Sequence, residues 1–147
     1  MNTDFAVVTK REVEGFAGLY AEVFNAPPWH DGWSVQAAAE RLNAIAETPR
    51  LEAIGAFQAG YPVGLVLGNG ERWVKGWVLH IREMFVVSRL QRTGVGRRLL
   101  AHFEASVASG YTSIYLQTGA RVPAHAFYAG CGYTTIDLVS MTKHIGS

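Results

Sequence analysis

Apolar residues recur three or four positions apart between Arg11 and Phe24, at Val13, Phe16, Tyr20, Val23 and Phe24, which predicts an amphipathic helix. Asn25–Trp33 interrupts it, because Pro27-Pro28 cannot continue a helix and Asp31-Gly32 has turn chemistry. Ser34 is placed to cap a second helix carrying Val35, Ala38, Leu42 and Ile45 on one stripe, and Thr48-Pro49 ends it. A β-prone Phe5–Val8 precedes these helices. Beyond them, Leu51–Phe57 and Val63–Leu67 flank a Gly-containing connection and read as an antiparallel hairpin. Asn69–Gly76 reads as a polar loop. Trp77–Val87 is a long apolar run broken by His80, Arg82 and Glu83, which suits a strand covered on both faces. A helix from about Val95 to Ala108 carries Leu99, Leu100, Phe103 and Val107, with Gly110 as its C-cap. Ile114–Leu116 is a short strand, Ala124–Ala129 a short helix behind Pro123, and Tyr133–Thr142 a closing strand pattern. This order predicts a mixed α/β or α+β sheet.

Composition narrows the class. The 147 residues, 49% of them hydrophobic, fit one domain over 1–147 and can bury roughly 68–70% of the unfolded surface. Thirteen basic against twelve acidic residues leave a net charge of +1, so no global basic field points to nucleic acid. The lone Cys131 cannot form an internal disulfide, Met1–Lys10 lacks a secretion-signal pattern, and no apolar run approaches the ~18–20 residues of a membrane span. A cytoplasmic protein is expected. The histidines show no metal-ligand spacing, so no metal is expected either.

Chemistry concentrates in Gln91-Arg92-Thr93-Gly94-Val95-Gly96-Arg97-Arg98, where a strand feeds a glycine turn that opens into a helix. The first amides of a helix lack internal partners and carry the positive end of its dipole, which makes an anion pocket. The details exclude two common phosphate motifs: Arg97-Arg98 replaces the Lys-Ser/Thr of a Walker loop, and Leu99 stands where a Rossmann turn has its third glycine.

Arg82-Glu83-Met84-Phe85-Val86, followed by Gln91-x-x-Gly94-x-Gly96, resembles the acetyl-CoA-binding motif of the GNAT N-acetyltransferase superfamily. Downstream, Ala126-Phe127-Tyr128-x-x-x-Gly132-Tyr133 is similar to the family's second element, in the usual order and separation. The resemblance implies a GNAT fold, an α+β arrangement with a twisted, mostly antiparallel sheet, a splayed central strand and flanking helices. It implies acetyl-CoA as donor, with the pantetheine arm along the backbone of Met84, Phe85 and Val86. The diphosphate would lie on the turn formed by Gln91, Arg92, Thr93, Gly94, Val95, Gly96 and Arg97. Tyr128 matches the tyrosine that protonates the departing sulfur. Glu83 and His80 are alternative bases, on opposite faces of the strand unless a bulge intervenes. Gln117 lies where other members place a glutamate, and the Trp29–Trp33 loop where the family's acceptor pocket is overhung. The acceptor is expected to be a primary amine of a small molecule or peptide, with a homodimer allowed and no nucleic-acid or membrane partner. A CoA-binding sensor or interaction module without turnover is the alternative.

Overall fold

Two polar side chains start the helical part of the chain. Glu12 accepts the amide of Thr9 at 2.9 Å at the head of a 3₁₀ helix, Lys10–Phe16, and Ser34 Oγ accepts the amide of Ala37 at 3.0 Å at the head of α2, Val35–Ala46. The single helix expected from Arg11 to Phe24 is thus wound in two ways, 3₁₀ first and then α1, Ala17–Asn25. Val13 and Phe16, three residues apart, share one face of a three-residue turn and are both buried, so the tighter winding keeps the stripe continuous.

The computed structural model describes residues 2–146, in two units, Met1–Gln117 and Thr118–Ser147. The first holds a five-stranded sheet of order β1-β2-β3-β4-β5: β1 Asp4–Val7, β2 Leu51–Gln58, β3 Tyr61–Trp73, β4 Gly76–Val86 and β5 Ser113–Tyr115. All neighbours are antiparallel except β4 and β5. This is the α+β fold expected from the sequence. Ala59 and Gly60, both at positive φ, close the β2–β3 hairpin.

Two layers of helix cover the sheet. Val13, Phe16, Tyr20, Val23, Leu42 and Ile45 join Leu65, Leu67 and Phe85 in one buried cluster. On the other face α3, Val95–Val107, brings Leu99, Leu100 and Phe103, all essentially without solvent contact. A Cβ on Gly64 would stand 3.3 Å from Leu99, so β3 and α3 pack closely there.

The polar loop expected over Asn69–Gly76 is strand instead, with only Val74-Lys75 turning between β3 and β4. Asn69 and Glu71 face partners, while Arg72 and Lys75 are exposed. Asn69 Oδ1 accepts from Arg82 Nη1 at 3.3 Å, and Glu71 accepts from Tyr115 on β5 at 2.7 Å.

Between β3 and β4 the register slips by one. Leu67 opposes Glu83 and Gly68 opposes Ile81, so Arg82 is an extra residue bulged out of the ladder. Gly68 permits this, since a Cβ there would lie 2.1 Å from the carbonyl oxygen of His80.

The second unit contains α4, Pro123–Gly130, with Pro123 in its first turn, and Gly132 at φ 95° follows it. The closing strand expected over Tyr133–Thr142 is not formed; residues 133–146 carry no regular structure. A strand needs a ladder partner for its amides, and the described residues of this unit contain no other strand.

Gly68→Ala is expected to lower unfolding stability by about 1–3 kcal/mol, because the backbone must shift to admit the methyl group. Gly18→Ala, in α1 with nothing near its would-be Cβ, is expected to be neutral or stabilising by up to ~1 kcal/mol. Urea unfolding of the two variants checks the contrast.

Candidate active site

Strand β5 pairs with β4 only across Val78–His80, whereas β4 continues to Val86. β5 ends at Tyr115, the partner of His80, and the backbone of β4 from Glu83 to Val86 has a strand on the β3 side alone. Alternate peptide groups on an unpaired strand edge point outward and seek hydrogen bonds. The open edge leads, through one 3₁₀ turn at Ser88–Leu90, into the glycine turn.

That turn is built by backbone conformation. Arg92 and Gly94 are both left-handed, at φ 65° and 92°, and Gly94 is the N-cap of α3. The first helical bond runs from the Arg98 amide to the Gly94 carbonyl at 3.1 Å, so the amides of Val95 and Gly96 lie ahead of the ladder. Nothing stands within 4 Å of where a Gly94 side chain would begin, which leaves open space before the helix dipole. Gln91 Nε2 donates to the Val86 carbonyl at 3.0 Å and ties the turn to the end of β4, while buried Val95 anchors its far side. Thr93 Oγ1 is hydrogen-bonded to the Leu90 carbonyl. A diphosphate fits this surface chemically, with amides, a helix N-terminus and exposed Arg92 and Arg97 side chains beside it.

Two titratable groups rise from β4. Because Arg82 is extra, His80 and Glu83 are two ladder steps apart and share a face. Glu83 lies deep, its side chain 16% exposed, with Arg41 Nε of α2 at 3.9 Å from Oε2. Oε2 is buried without a hydrogen-bond partner. Burial pushes its pKa up, against the hydrogen bond from Tyr20 and the charges of Arg41 and Arg82. Tyr20 is in turn held neutral by its own burial and by the adjacent carboxylate.

His80 stacks on Tyr115, ring centroids 4.3 Å apart, with Nδ1 3.2 Å from Glu71 Oε2. Burial lowers its pKa, and the neighbouring Glu71 only partly offsets this, so the ring is neutral at pH 7 and its contact with Glu71 is a hydrogen bond rather than an ion pair.

The loop between α1 and α2 closes over the same side of the sheet. Trp33 meets Tyr20 edge-on at 5.1 Å, and Trp29 meets Phe24 at 5.2 Å. Asn25 fixes the loop by bonding both the amide and the carbonyl of Trp33, at 2.6 and 2.8 Å. Both tryptophans are half-buried against the core and contiguous, through Tyr20, with Glu83. Gln117 is not on a strand; it is exposed, two residues beyond β5, and Tyr115 is the residue that reaches His80. In the second unit, half-buried Tyr128 packs against Phe127 and Tyr133 at 5.2 and 5.8 Å. Tyr20, Arg41, Glu71 and Tyr115 escaped the sequence reading, because their partners lie across elements and no local spacing marks them.

Residues 16–133 match the family model described as the Acetyltransferase (GNAT) family. The chain belongs to this family and is an N-acetyltransferase whose acyl donor is acetyl-CoA. No curated protein matches the sequence significantly. Among solved structures, an integron cassette protein from the mobile metagenome of Vibrio cholerae superposes with TM-score 0.80 at 18% identity, over 99% of this chain and 94% of that one. The aminoglycoside acetyltransferase AAC(6')-Iy, solved with a bisubstrate analogue, gives 0.76 at 16%, over 99% and 100%. A ribosomal-protein-alanine N-acetyltransferase from Brucella melitensis biovar Abortus 2308 gives 0.73 at 15%, over 98% and 100%. At such identities these likenesses show the fold. Among the described residues, no helix is long and apolar enough to cross a membrane.

Because Glu83 holds its proton more tightly folded than unfolded, its ionisation costs stability. The penalty appears as pH rises past the ordinary value near ~4.3 and is complete above the raised folded value. Glu83→Gln is therefore expected to raise the melting temperature at pH 7.5 and to leave it little changed at pH 4. Thermal scans at the two pH values check the sign.

Proposed function

We propose that the protein transfers the acetyl group of acetyl-CoA to a primary amine of a small molecule or peptide, by direct attack in a ternary complex. The observation that carries this reading is the end of β5 at Tyr115, which leaves an open strand edge on β4 ahead of an amide-lined turn, with two proton acceptors on one face of the same strand. On this reading the backbone of Met84, Phe85 and Val86 holds the pantetheine arm. The amides of the Arg92–Gly96 turn hold the diphosphate.

A primary amine with pKa near ~10.4 is almost wholly protonated at neutral pH, and freeing its lone pair costs about 4–5 kcal/mol. Glu83 or His80 meets that cost as the base: a carboxylate whose pKa burial raises, or a neutral imidazole, can take the proton. The freed nitrogen bonds to the thioester carbon, the carbon–sulfur bond breaks, Tyr128 supplies a proton to the departing sulfur, and the second proton that the nitrogen sheds as the amide forms restores the phenol, through water. A neutral phenol suits that task, its ordinary pKa being near ~10. The role of Tyr128 rests on the family motif Phe127-Tyr128-x-x-x-Gly132-Tyr133. Trp29 and Trp33 supply an aromatic rim for the acceptor, and Asp31, Glu71 and Glu83, opposed by Arg41 and Arg82, give the site carboxylates that can face a cationic amine. The names of AAC(6')-Iy and the ribosomal-protein enzyme support a small-molecule and a peptide amine respectively. The reading takes the enzyme as cytoplasmic, in keeping with its single, free Cys131.

Purified protein with acetyl-CoA and a panel of amines is expected to release free thiol. Tyr128→Phe should slow the release about 10²-fold or more while leaving coenzyme A affinity unchanged in calorimetry. Valine at both Gly94 and Gly96, with the fold verified by circular dichroism, should weaken coenzyme A at least ~10-fold.

A further inference from the structure

Glu71, His80 and Tyr115 come from three adjacent strands and form a closed group. The Tyr115 hydroxyl is 2.7 Å from Glu71 Oε1 and 3.2 Å from His80 Nδ1, and that nitrogen is 3.2 Å from Glu71 Oε2. One phenolic hydrogen serves the shorter contact, to the carboxylate. Hydrogen bonds from Tyr115 and His80 hold Glu71 below the usual carboxylate range against the upward push of its burial, so it is an acceptor only. An unprotonated Nδ1 would then set its lone pair against a carboxylate oxygen. The arrangement requires a hydrogen on Nδ1, which leaves the lone pair of the neutral ring on Nε2.

We propose that Glu71, itself held by Tyr115, is a positioning residue that fixes His80 as its Nδ1–H tautomer, so that Nε2 is the atom that receives the acceptor amine's proton. The idea rests on the transferase reading and assigns the base that the reading leaves shared between His80 and Glu83. The step balances simply: the N–H bond of the ammonium breaks, its electron pair stays on nitrogen, and the proton forms a bond to Nε2, making an imidazolium that Glu71 stabilises. The parts have the logic of a carboxylate orienting a histidine base. The charged or titratable groups around His80 are Glu71 from β3, Arg82 from β4 and Tyr115 from β5, with Arg82 acting against the imidazolium. The bulge at Arg82 gives the group its place, since it turns His80 to the face that Glu83 occupies.

The test pairs a tautomer measurement with a pH profile, on the full chain. In long-range proton–nitrogen spectra of the ¹⁵N-labelled protein, His80 should carry its hydrogen on Nδ1. In Glu71→Gln the amide can donate to that nitrogen, and the hydrogen should move to Nε2. In the pH dependence of kcat/KM for the amine, Glu71→Gln should lower the plateau about 10–100-fold and move the acid limb to lower pH, because the anion that favoured the imidazolium is gone. Tyr115→Phe keeps the stacked ring and removes only the hydroxyl, so it should act in the same direction but less, even if Glu71→Gln folds poorly. An Nε2–H ring in the wild type, or an acid limb unmoved in both variants, overturns the proposal. An Nδ1–H ring in a wild type that acetylates no amine supports the positioning by Glu71 and overturns the transferase reading instead.

Discussion

The contact between the backbone of Gly68 and the carbonyl of His80 sets the geometry of this site. With no Cβ at position 68 the two strands close to a separation that any other residue would forbid, and β4 takes up one residue more than β3. Without that extra residue, pleat alternation would put His80 and Glu83 on opposite faces, one toward α1 and α2 and the other toward α3. With it, both stand on the side where Tyr20, Arg41 and the tryptophan loop lie. A backbone irregularity, rather than any one side chain, decides which groups can act together.

The second constraint is that a strand held on one side only is a binding surface. The short β5 matches β4 for three residues and then ends, while Gln91 folds back on Val86 to lead the edge into the turn before α3. On the proposed reading donor binding requires little of the side chains: amides of an open edge and of a helix N-terminus would supply the contacts, and two left-handed residues shape the turn. This explains how a chain sharing under a fifth of its residues with AAC(6')-Iy can share its fold throughout.

Much of the fold was legible because local patterns were consistent with tertiary packing. The Ser34 cap, the α3 stripe, the hairpin turn and the glycine turn each appear where the sequence puts them, as does the α2 stripe apart from Val35, which is exposed in the first turn. The misreadings share one cause. Asn69, Gly70 and Glu71 look like a loop because their polarity suggests water, yet Arg82 and His80 of β4 and Tyr111, ahead of β5, lie against them. Tyr133–Thr142 has the alternation of a strand, but alternation cannot supply a ladder partner. The candidate bases were legible as residue types, whereas the bulge that aligns them was not, because the pairing of Gly68 with Ile81 is a fact of register.

The most direct measurement is a crystal structure of the protein with coenzyme A and a primary amine. The account predicts the pantetheine arm hydrogen-bonded to the free edge of β4 at Met84–Val86, the diphosphate on the amides of 92–96, and the amine nitrogen within reach of His80 Nε2, directly or through one water. Coenzyme A bound away from that edge, or an amine seated on the α3 face of the sheet, would contradict it.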